Sequence, residues 1–187
     1  MEKVKSKLSP YRLFAPQIVG LVTAINRKGK PNVAPISLIA WTEIFPHFVT
    51  IHVMPERYTH ECLIHSNKFV LNPLTIELVD QVLFCGSHSG RDTDKFKKTG
   101  LTQLKSELVA APRIGECVTH IECTITSYFR TELHTIFLGK VLAQYVEEEV
   151  INDEHLDLVK SKPLLHLGKN TYATIEKLLI KIPSKMA

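Results

Sequence analysis

The chain has 187 residues, of which 44% are hydrophobic and 22% are charged, and its formal net charge is +4. These values are typical of one globular domain with a proper core, so we expect a single domain over residues 1–187. No basic run is interleaved with aromatic residues, which makes nucleic acid a poor candidate partner, although a basic surface favours anionic small molecules such as phosphorylated cofactors.

The sequence carries no pattern for export or for membrane insertion. Residues 1–14 contain lysines but no apolar core of signal-peptide length, and no apolar run reaches the roughly 18 residues that a membrane span needs. The four cysteines lack the spacing of a secreted disulfide framework. We therefore expect a cytoplasmic protein with reduced thiols and no membrane association.

Two apolar stretches between Ile18 and Trp41 flank the polar tract Asn26–Pro31, a pattern that predicts a β-hairpin. Pro35 lies inside the second arm, and a proline cannot sit in a central strand that is paired on both sides. We expect this arm to leave backbone groups exposed on a surface where a flat molecule can lie.

The rest of the pattern favours strands at both ends of the chain and helices between them. Alternating and β-branched residues predict strands over residues 47–53, 68–72, 116–130 and 134–145. Helices are predicted over residues 60–66, 75–84 and 92–100. Thr59 is the expected cap of the first of these helices and Asp92 the expected cap of the last, which should stop at Gly100.

Two patterns resemble metal sites but do not place ligands together. His60 is followed by glutamate, as in zinc proteases, yet the next histidine is His65, which a helix places about 140° away. In Cys117-x-x-His120-x-x-Cys123, a strand would place the cysteines on one face and the histidine on the other. We expect a surface helix and buried cysteines beside a core or interface histidine.

Cys85 is the one candidate thiol nucleophile, since it precedes the turn Gly86–Gly90. Only His88 is close enough along the chain to activate it, so a small buried residue at a helix end is the favoured interpretation. Carboxylate pairs at acid–base spacing are not evident, and a hydrolase is therefore unsupported.

Two turns combine hydroxyl, basic and flexible residues. Arg57 and Thr59 lie where a strand passes into a helix N-terminus, and free N–H groups, a hydroxyl and a guanidinium together suit a phosphate. Ser87–Arg91 forms a second such turn, followed by Lys95 in the first turn of the next helix. Simple capping with solvated charges is the alternative for either turn.

In their order and spacing, these motifs resemble the flavin reductase-like FMN-binding proteins of the split-barrel fold, and within that group the flavoredoxins. The resemblance rests on Asn32-Val33-Ala34-Pro35-Ile36-Ser37, Arg57-Tyr58-Thr59, Phe69–Asn72, Ser89–Phe96, His134, Gly139 and Pro163–Gly168. It implies a mainly β (α+β) fold, a split β-barrel with short helices packed around it, and FMN as the cofactor.

The resemblance also implies roles for particular positions. Asn32 would hydrogen-bond the flavin or its ribityl chain, Arg57 and Thr59 would hold the 5′-phosphate, and Lys95 would approach the ring or the phosphate, as would His134 from the same or the partner subunit. The strand backbone would line the ring edge, and a residue near the C-terminus would lie against the flavin. The complete candidate set is Asn32, Val33, Ala34, Pro35, Ser37, Leu38, Arg57, Thr59, Ser87, Ser89, Arg91, Lys95, His134 and Leu167.

One position departs from the family pattern. Leu38 stands where many relatives have a tryptophan, and the only tryptophan of this chain is Trp41. An expected aromatic wall of the flavin site is therefore missing.

For function, the resemblance implies an FMN-binding oxidoreductase that is a homodimer with FMN at or near the interface. We expect flavoredoxin-like electron transfer through bound FMN to a redox partner protein. An NAD(P)H-dependent flavin reductase is the close alternative, and a non-enzymatic flavin-binding module is the second. No G-x-G-x-x-G follows a strand. NAD(P)H nevertheless stays open as a transient donor, because such barrels can bind nicotinamide over the flavin without a Rossmann unit.

Overall fold

The computed structural model describes residues 3–152 and 155–177, and strands dominate these residues. The strands are β1 (Gln17–Ile18), β2 (Gly20–Ile25), β3 (Pro31–Ile36), β4 (Ile39–Glu43), β5 (Phe48–Val53), β6 (Lys68–Pro73), β7 (Gln103–Leu104), β8 (Arg113–Ile114), β9 (Thr119–Arg130), β10 (Thr135–Val146), β11 (Ile151–Asn152), β12 (His155–Leu156), β13 (Leu165–Gly168) and β14 (Thr171–Ala173). The helices are α1 (Pro10–Leu13), α2 (Tyr58–Ser66), α3 (Val79–Ser87), α4 (Lys95–Thr99) and α5 (Leu158–Ser161), with 3₁₀ turns at Ile76–Leu78 and Glu148–Val150.

Seven antiparallel strands form the main sheet, in the order β3-β2-β6-β9-β10-β5-β4. The two edge strands follow one another in the chain, because only Ser37 and Leu38 separate β3 from β4. Three residue steps span at most about 10 Å, so the sheet must curl until its edges meet at these two residues. Pro35 accordingly lies in an edge strand that, among the described strands, pairs only with β2, as its position in the sequence predicts.

The buried apolar residues form two large cores, one on each side of the sheet, and a small third cluster of Val70, Val109 and Ala111. One core fills the inside of the curled sheet, where Val22, Ile51 and Phe137 are fully buried and Leu63 of α2 covers them. The other lies between the outer face of β2 and β3 and helices α3 and α4, and includes Leu21, Val33, Val82, Cys85 and Phe96. Strand β2 is buried on both faces, because alternate residues point into different cores.

The predicted hairpin is confirmed over β2 and β3, with Gly29 at a positive φ of 74° in its loop. The second arm nevertheless ends at Ile36, and Trp41 belongs to β4 at the opposite edge of the sheet. The predicted helix over residues 75–84 is a 3₁₀ turn followed by α3, which continues to Ser87.

Both predicted helix caps are wrong. Arg57 is the N-cap residue of α2, and the Thr59 hydroxyl instead accepts a hydrogen bond from the Asn32 amide at 2.9 Å. The cap of α4 is Asp94 rather than Asp92, because the Asp94 carboxylate accepts a hydrogen bond from the backbone N–H of Lys97. Helix α4 does stop at Gly100, which has a φ of 71°.

His120 is a buried residue of β9, and its Nδ1 lies 2.9 Å from Oδ1 of Asn72. Cys117 precedes the strand rather than sharing a face of it with Cys123, although both cysteines are buried. Across residues 3–152 and 155–177, no three histidine, cysteine or acidic side chains come together in a way that could hold a metal ion. Among the same residues, no helix has the length and apolar character needed to cross a membrane.

Candidate cofactor site

The largest concentration of predicted site residues lines one cleft of about 480 Å³, which we call the main cleft. Its walls are the end of β3, the end of β5, the start of α2, the turn between α3 and α4, and the start of β10. Its volume is within the range of about 300–1,000 Å³ that is typical of small-molecule sites. The candidates that line it are Ala34, Pro35, Ser37, Leu38, Arg57, Thr59, Ser87, Ser89, Arg91, Lys95 and His134.

Three candidates do not line the main cleft. Asn32 is only 4% exposed and lies behind Thr59, to which its Nδ2 donates a hydrogen bond. Val33 is fully buried, and its carbonyl accepts a hydrogen bond from Lys95 at 3.0 Å. Leu167 is on β13, outside the main cleft of its own chain. Asn32 and Val33 therefore support the site from behind instead of forming its surface.

The start of α2 forms one end of the main cleft. No side chain caps this helix, so the backbone N–H groups of Tyr58 and Thr59 keep their hydrogen-bonding capacity, whereas that of His60 donates to the Arg57 carbonyl at 2.9 Å. The Thr59 hydroxyl accepts a hydrogen bond from Asn32 and keeps its own proton to donate. The exposed Arg57 side chain has no hydrogen bond or ion pair with any part of the chain that the structure describes. This end can therefore hold an anion such as a phosphate.

Arg91 is held at the same end by three contacts. Its guanidinium donates to the Glu56 carbonyl at 3.1 Å, lies 3.4 Å from the Glu61 carboxylate, and stacks 5.2 Å from the centre of the Tyr58 ring. These contacts fix the orientation of an exposed charge that would otherwise move freely.

Gly90 brings the turn after α3 against this end of the cleft. A Cβ at this position would overlap Oδ1 of Asn32 and would approach the Tyr58 ring to 2.8 Å. Within the described residues, that Asn32 oxygen has no hydrogen-bond partner. The close approach therefore requires glycine, and it places the backbone of the turn against Asn32 and Tyr58.

Lys95 joins two walls of the main cleft. Its side chain is 6% exposed, and its ammonium donates to the carbonyls of Val33 on β3, at 3.0 Å, and of Cys85 on α3, at 2.7 Å. Burial lowers the pKa of Lys95 from its usual range, with a smaller opposing contribution from the Cys85 thiol. The Lys95 side chain thus ties the strand to the helix and also brings a basic group to the floor of the cleft.

Two histidines of the main cleft, His52 and His88, are missing from the predicted set. His52 is on β5 between the inward-facing Ile51 and Val53, so the alternation of that strand could have identified it as an outward residue. Its pKa is lowered by burial and secondarily by His134. The His88 ring stacks on the Phe84 ring with the ring centres 4.0 Å apart. This contact could be predicted only if the end of α3 were known.

Cys85 also lines the main cleft, but burial raises the pKa of its thiol to about 11. The thiol therefore stays protonated at neutral pH and is a poor nucleophile. The interpretation of Cys85 as a small buried residue near a helix end is confirmed.

The family model described as "Flavin reductase like domain" matches residues 12–175, and the chain belongs to this family. A protein of Archaeoglobus fulgidus is 33% identical over 113 residues, a match that spans 60% of this chain and 64% of the relative. The chain therefore spans less than two thirds of that relative's length.

Solved structures with a similar fold match nearly the whole chain. The flavoredoxin of Methanosarcina acetivorans is 26% identical with a TM-score of 0.83, and covers 98% of this chain and 96% of its own. The flavoredoxin of Desulfovibrio vulgaris is 24% identical with a TM-score of 0.85, and both chains are covered completely. A putative flavin reductase with a split barrel domain from Shewanella frigidimarina is 19% identical with a TM-score of 0.84, and the match covers 95% of this chain and 94% of that one.

These comparisons confirm the split β-barrel fold and the similarity to flavoredoxins that the motifs predict. They support an oxidoreductase-type function that is related to flavin. The roles of individual residues of the main cleft stay predictions.

Proposed function

We propose that this protein binds FMN in the main cleft and transfers electrons through it, in the manner of a flavoredoxin. The main support is the arrangement at the start of α2, where backbone N–H groups without a side-chain cap, the Thr59 hydroxyl and the exposed Arg57 side chain face one cleft. A 5′-phosphate is the group that this donor set fits best. The family membership and the flavoredoxin neighbours support a flavin as the rest of the ligand.

In this proposal, Arg57 and Thr59 bind the phosphate and Arg91 adds a fixed positive charge beside it. The half-buried Ala34 and Pro35 line one edge of the flat ring with their backbone, on the side of β3 where no other described strand pairs with it. Bound FMN would supply the redox chemistry itself. The basic group of Lys95 on the floor of the cleft would stabilise negative charge on the bound ligand, which raises its reduction potential.

A titration of the FMN-free protein with FMN, followed by quenching of flavin fluorescence, tests the proposal. Each charge-assisted contact to phosphate contributes about 1.5–3 kcal/mol. We therefore expect Arg57→Ala combined with Thr59→Ala to weaken FMN binding by well over tenfold. Arg27→Ala, which removes another exposed arginine from the β2–β3 loop, is the matched control and should leave the affinity unchanged. Equal affinities for the double variant and the wild type would remove both residues from the site.

Anaerobic stopped-flow reduction of the FMN-loaded protein distinguishes between the possible modes of action. A flavoredoxin-like carrier should accept electrons from a reduced partner protein and react slowly with NADH and NADPH. Rapid bleaching of bound FMN by either nucleotide would instead favour a flavin reductase. Tight FMN binding without turnover by any donor would indicate a non-enzymatic flavin-binding module.

We also propose that the protein acts as a homodimer with FMN close to the interface. Leu167, which the family resemblance places against the flavin, lies outside the main cleft of its own chain. Trp41, Ile44 and Phe45 form an exposed apolar patch around the β4–β5 turn, and the rings of Trp41 and Phe45 both contact His47. A second copy of the chain would account for both features.

A further inference from the structure

A second cleft of about 530 Å³ opens beside the main cleft, and we call it the aromatic cleft. Pro35, Ser37, Gly86 and Ser87 line both clefts, so the two spaces adjoin where the end of β3 faces the end of α3. A ligand of the aromatic cleft would therefore lie next to a ligand of the main cleft.

Two ring side chains form one wall of the aromatic cleft. His166 on β13 is paired with Tyr172 on β14, and their ring centres are 5.2 Å apart with 36° between the planes. Val82 and Leu83 of α3 also line the cleft and supply aliphatic surface. Ring and aliphatic surfaces of this kind suit a flat apolar molecule.

The aromatic cleft differs from the main cleft in its charge. Among the described residues that line it, none is lysine, arginine, aspartate or glutamate, whereas Arg57, Arg91 and Lys95 line the main cleft. A charged ligand would lose its hydration here without gaining a partner of opposite charge. The lining therefore favours an uncharged molecule over an anion, and over the diphosphate of a nicotinamide dinucleotide.

The aromatic cleft nevertheless offers two defined polar groups. Nε2 of His166 lies 2.8 Å from the Lys169 carbonyl, which can only accept, so this nitrogen carries a proton and Nδ1 is the ring nitrogen that remains for a ligand. Burial raises the pKa of Tyr172, so its phenol stays protonated and can donate. Neither Nδ1 of His166 nor the Tyr172 hydroxyl has a hydrogen-bond partner in the part of the chain that the structure describes.

We propose that the aromatic cleft is a binding site for a small, flat, uncharged aromatic molecule that carries a hydrogen-bond acceptor, next to the cofactor in the main cleft. This proposal rests on the proposed function only in taking the ligand of the main cleft to be a cofactor. The chemistry of the aromatic cleft does not depend on which ligand fills the main cleft. The proposal names the class of small molecule that the bound flavin would meet.

Benzamide and benzoate test this proposal, because they share ring and size but differ in charge. Isothermal titration calorimetry with FMN-free and FMN-loaded protein should show benzamide binding at least tenfold more tightly than benzoate. Titration of the FMN-free protein tests the aromatic cleft even where FMN fails to bind. Equal binding of the two probes, or no binding of millimolar benzamide, would overturn the proposal.

Two variants and one control test whether benzamide binds in the aromatic cleft. Leu83 is 38% exposed, so Leu83→Glu should fold and should weaken benzamide binding at least tenfold while leaving FMN affinity unchanged. Leu104→Glu, at a leucine that is 40% exposed elsewhere on the surface, is the matched control. Tyr172→Phe keeps the ring and removes the donor, and a several-fold loss of benzamide affinity is expected. Unchanged benzamide binding in Leu83→Glu would contradict the assignment.

Discussion

Gly90 lies where the turn after α3 packs against the buried Asn32, whose amide donates a hydrogen bond to Thr59. Gly90→Ala places a methyl group against Oδ1 of Asn32 and the Tyr58 ring, so the turn and the start of α2 must separate. We expect FMN affinity to fall by more than tenfold, as measured by flavin fluorescence, together with a lower melting temperature.

The double variant Gly90→Ala, Asn32→Ala provides the control. Removing the Asn32 amide makes room for the new methyl group, so the two substitutions should cost less together than the sum of their separate effects. Additive losses would show that the contact between Gly90 and Asn32 is unimportant.

At the scale of single residues, the sequence predicts which side chains line the main cleft more accurately than it predicts the contacts that each one makes. The motif order includes Arg57, Thr59 and Ser89, and all three line the main cleft. The family resemblance implies a direct contact between Asn32 and the ligand, whereas the structure buries the Asn32 amide behind Thr59. Which of two neighbouring polar residues reaches the surface depends on packing around Gly90, and strand periodicity alone does not determine it.

Lys95 ties helix α4 to β3 and α3, beside Phe96 of the same helix, which is buried in the second core. Lys95→Met would leave the carbonyls of Val33 and Cys85 without their charged donor, and hydrogen bonds of this type contribute about 1.5–3 kcal/mol. Relief of the cost of burying the ammonium offsets part of this loss. We expect the free energy of unfolding, measured in urea, to fall by about 1–2 kcal/mol.

Lys98→Met on the same helix is the matched control, because Lys98 is exposed. Its effect should stay within about 0.5 kcal/mol. A Lys95→Met variant as stable as Lys98→Met would contradict the role given to the buried ammonium.

At the scale of elements, strands with strong alternation were predictable and helix starts were not. The long strands β9 and β10 match their predicted ranges within a few residues, because each has one face in the core. The predicted caps of α2 and α4 are wrong, since several polar residues precede each helix and tertiary contacts select among them. The position of β4 opposite β3 depends on closure of the whole sheet, which local pattern does not reveal.

The stability of the whole molecule should depend on pH through His120. Burial, followed by the charge of Arg113, lowers the pKa of His120 to about 4, against 6.5 for an unperturbed histidine. Between these values the unfolded chain binds the proton and the folded chain does not, so stability is lost as the pH falls through this window. The difference corresponds to about 3 kcal/mol.

His120→Gln can keep a donor for Asn72 while removing the titrating group. Urea unfolding between pH 7 and pH 4 should therefore show a shallower loss of stability in this variant than in the wild type. Identical pH slopes for the two proteins would exclude His120 as the source.

Association of two chains should change the fluorescence of Trp41, which is the only tryptophan and is exposed on edge strand β4 of the single chain. If the apolar patch around the β4–β5 turn is buried in the homodimer, raising the protein concentration should shift the emission to shorter wavelength. Sedimentation should report twice the chain mass of 21.2 kDa over the same range. A particle of single-chain mass at all concentrations would refute the proposed homodimer.

If the start of α2 binds the phosphate of a flavin mononucleotide whose ring lies along β3, the phosphate should contribute strongly to affinity. The ratio of the dissociation constants for riboflavin and FMN measures this contribution, because the two ligands differ only in the phosphate. We expect FMN to bind the wild-type protein at least about tenfold more tightly than riboflavin, and the double variant Arg57→Ala, Thr59→Ala to lose this preference. Equal binding of riboflavin and FMN by the wild-type protein would contradict phosphate binding at the start of α2.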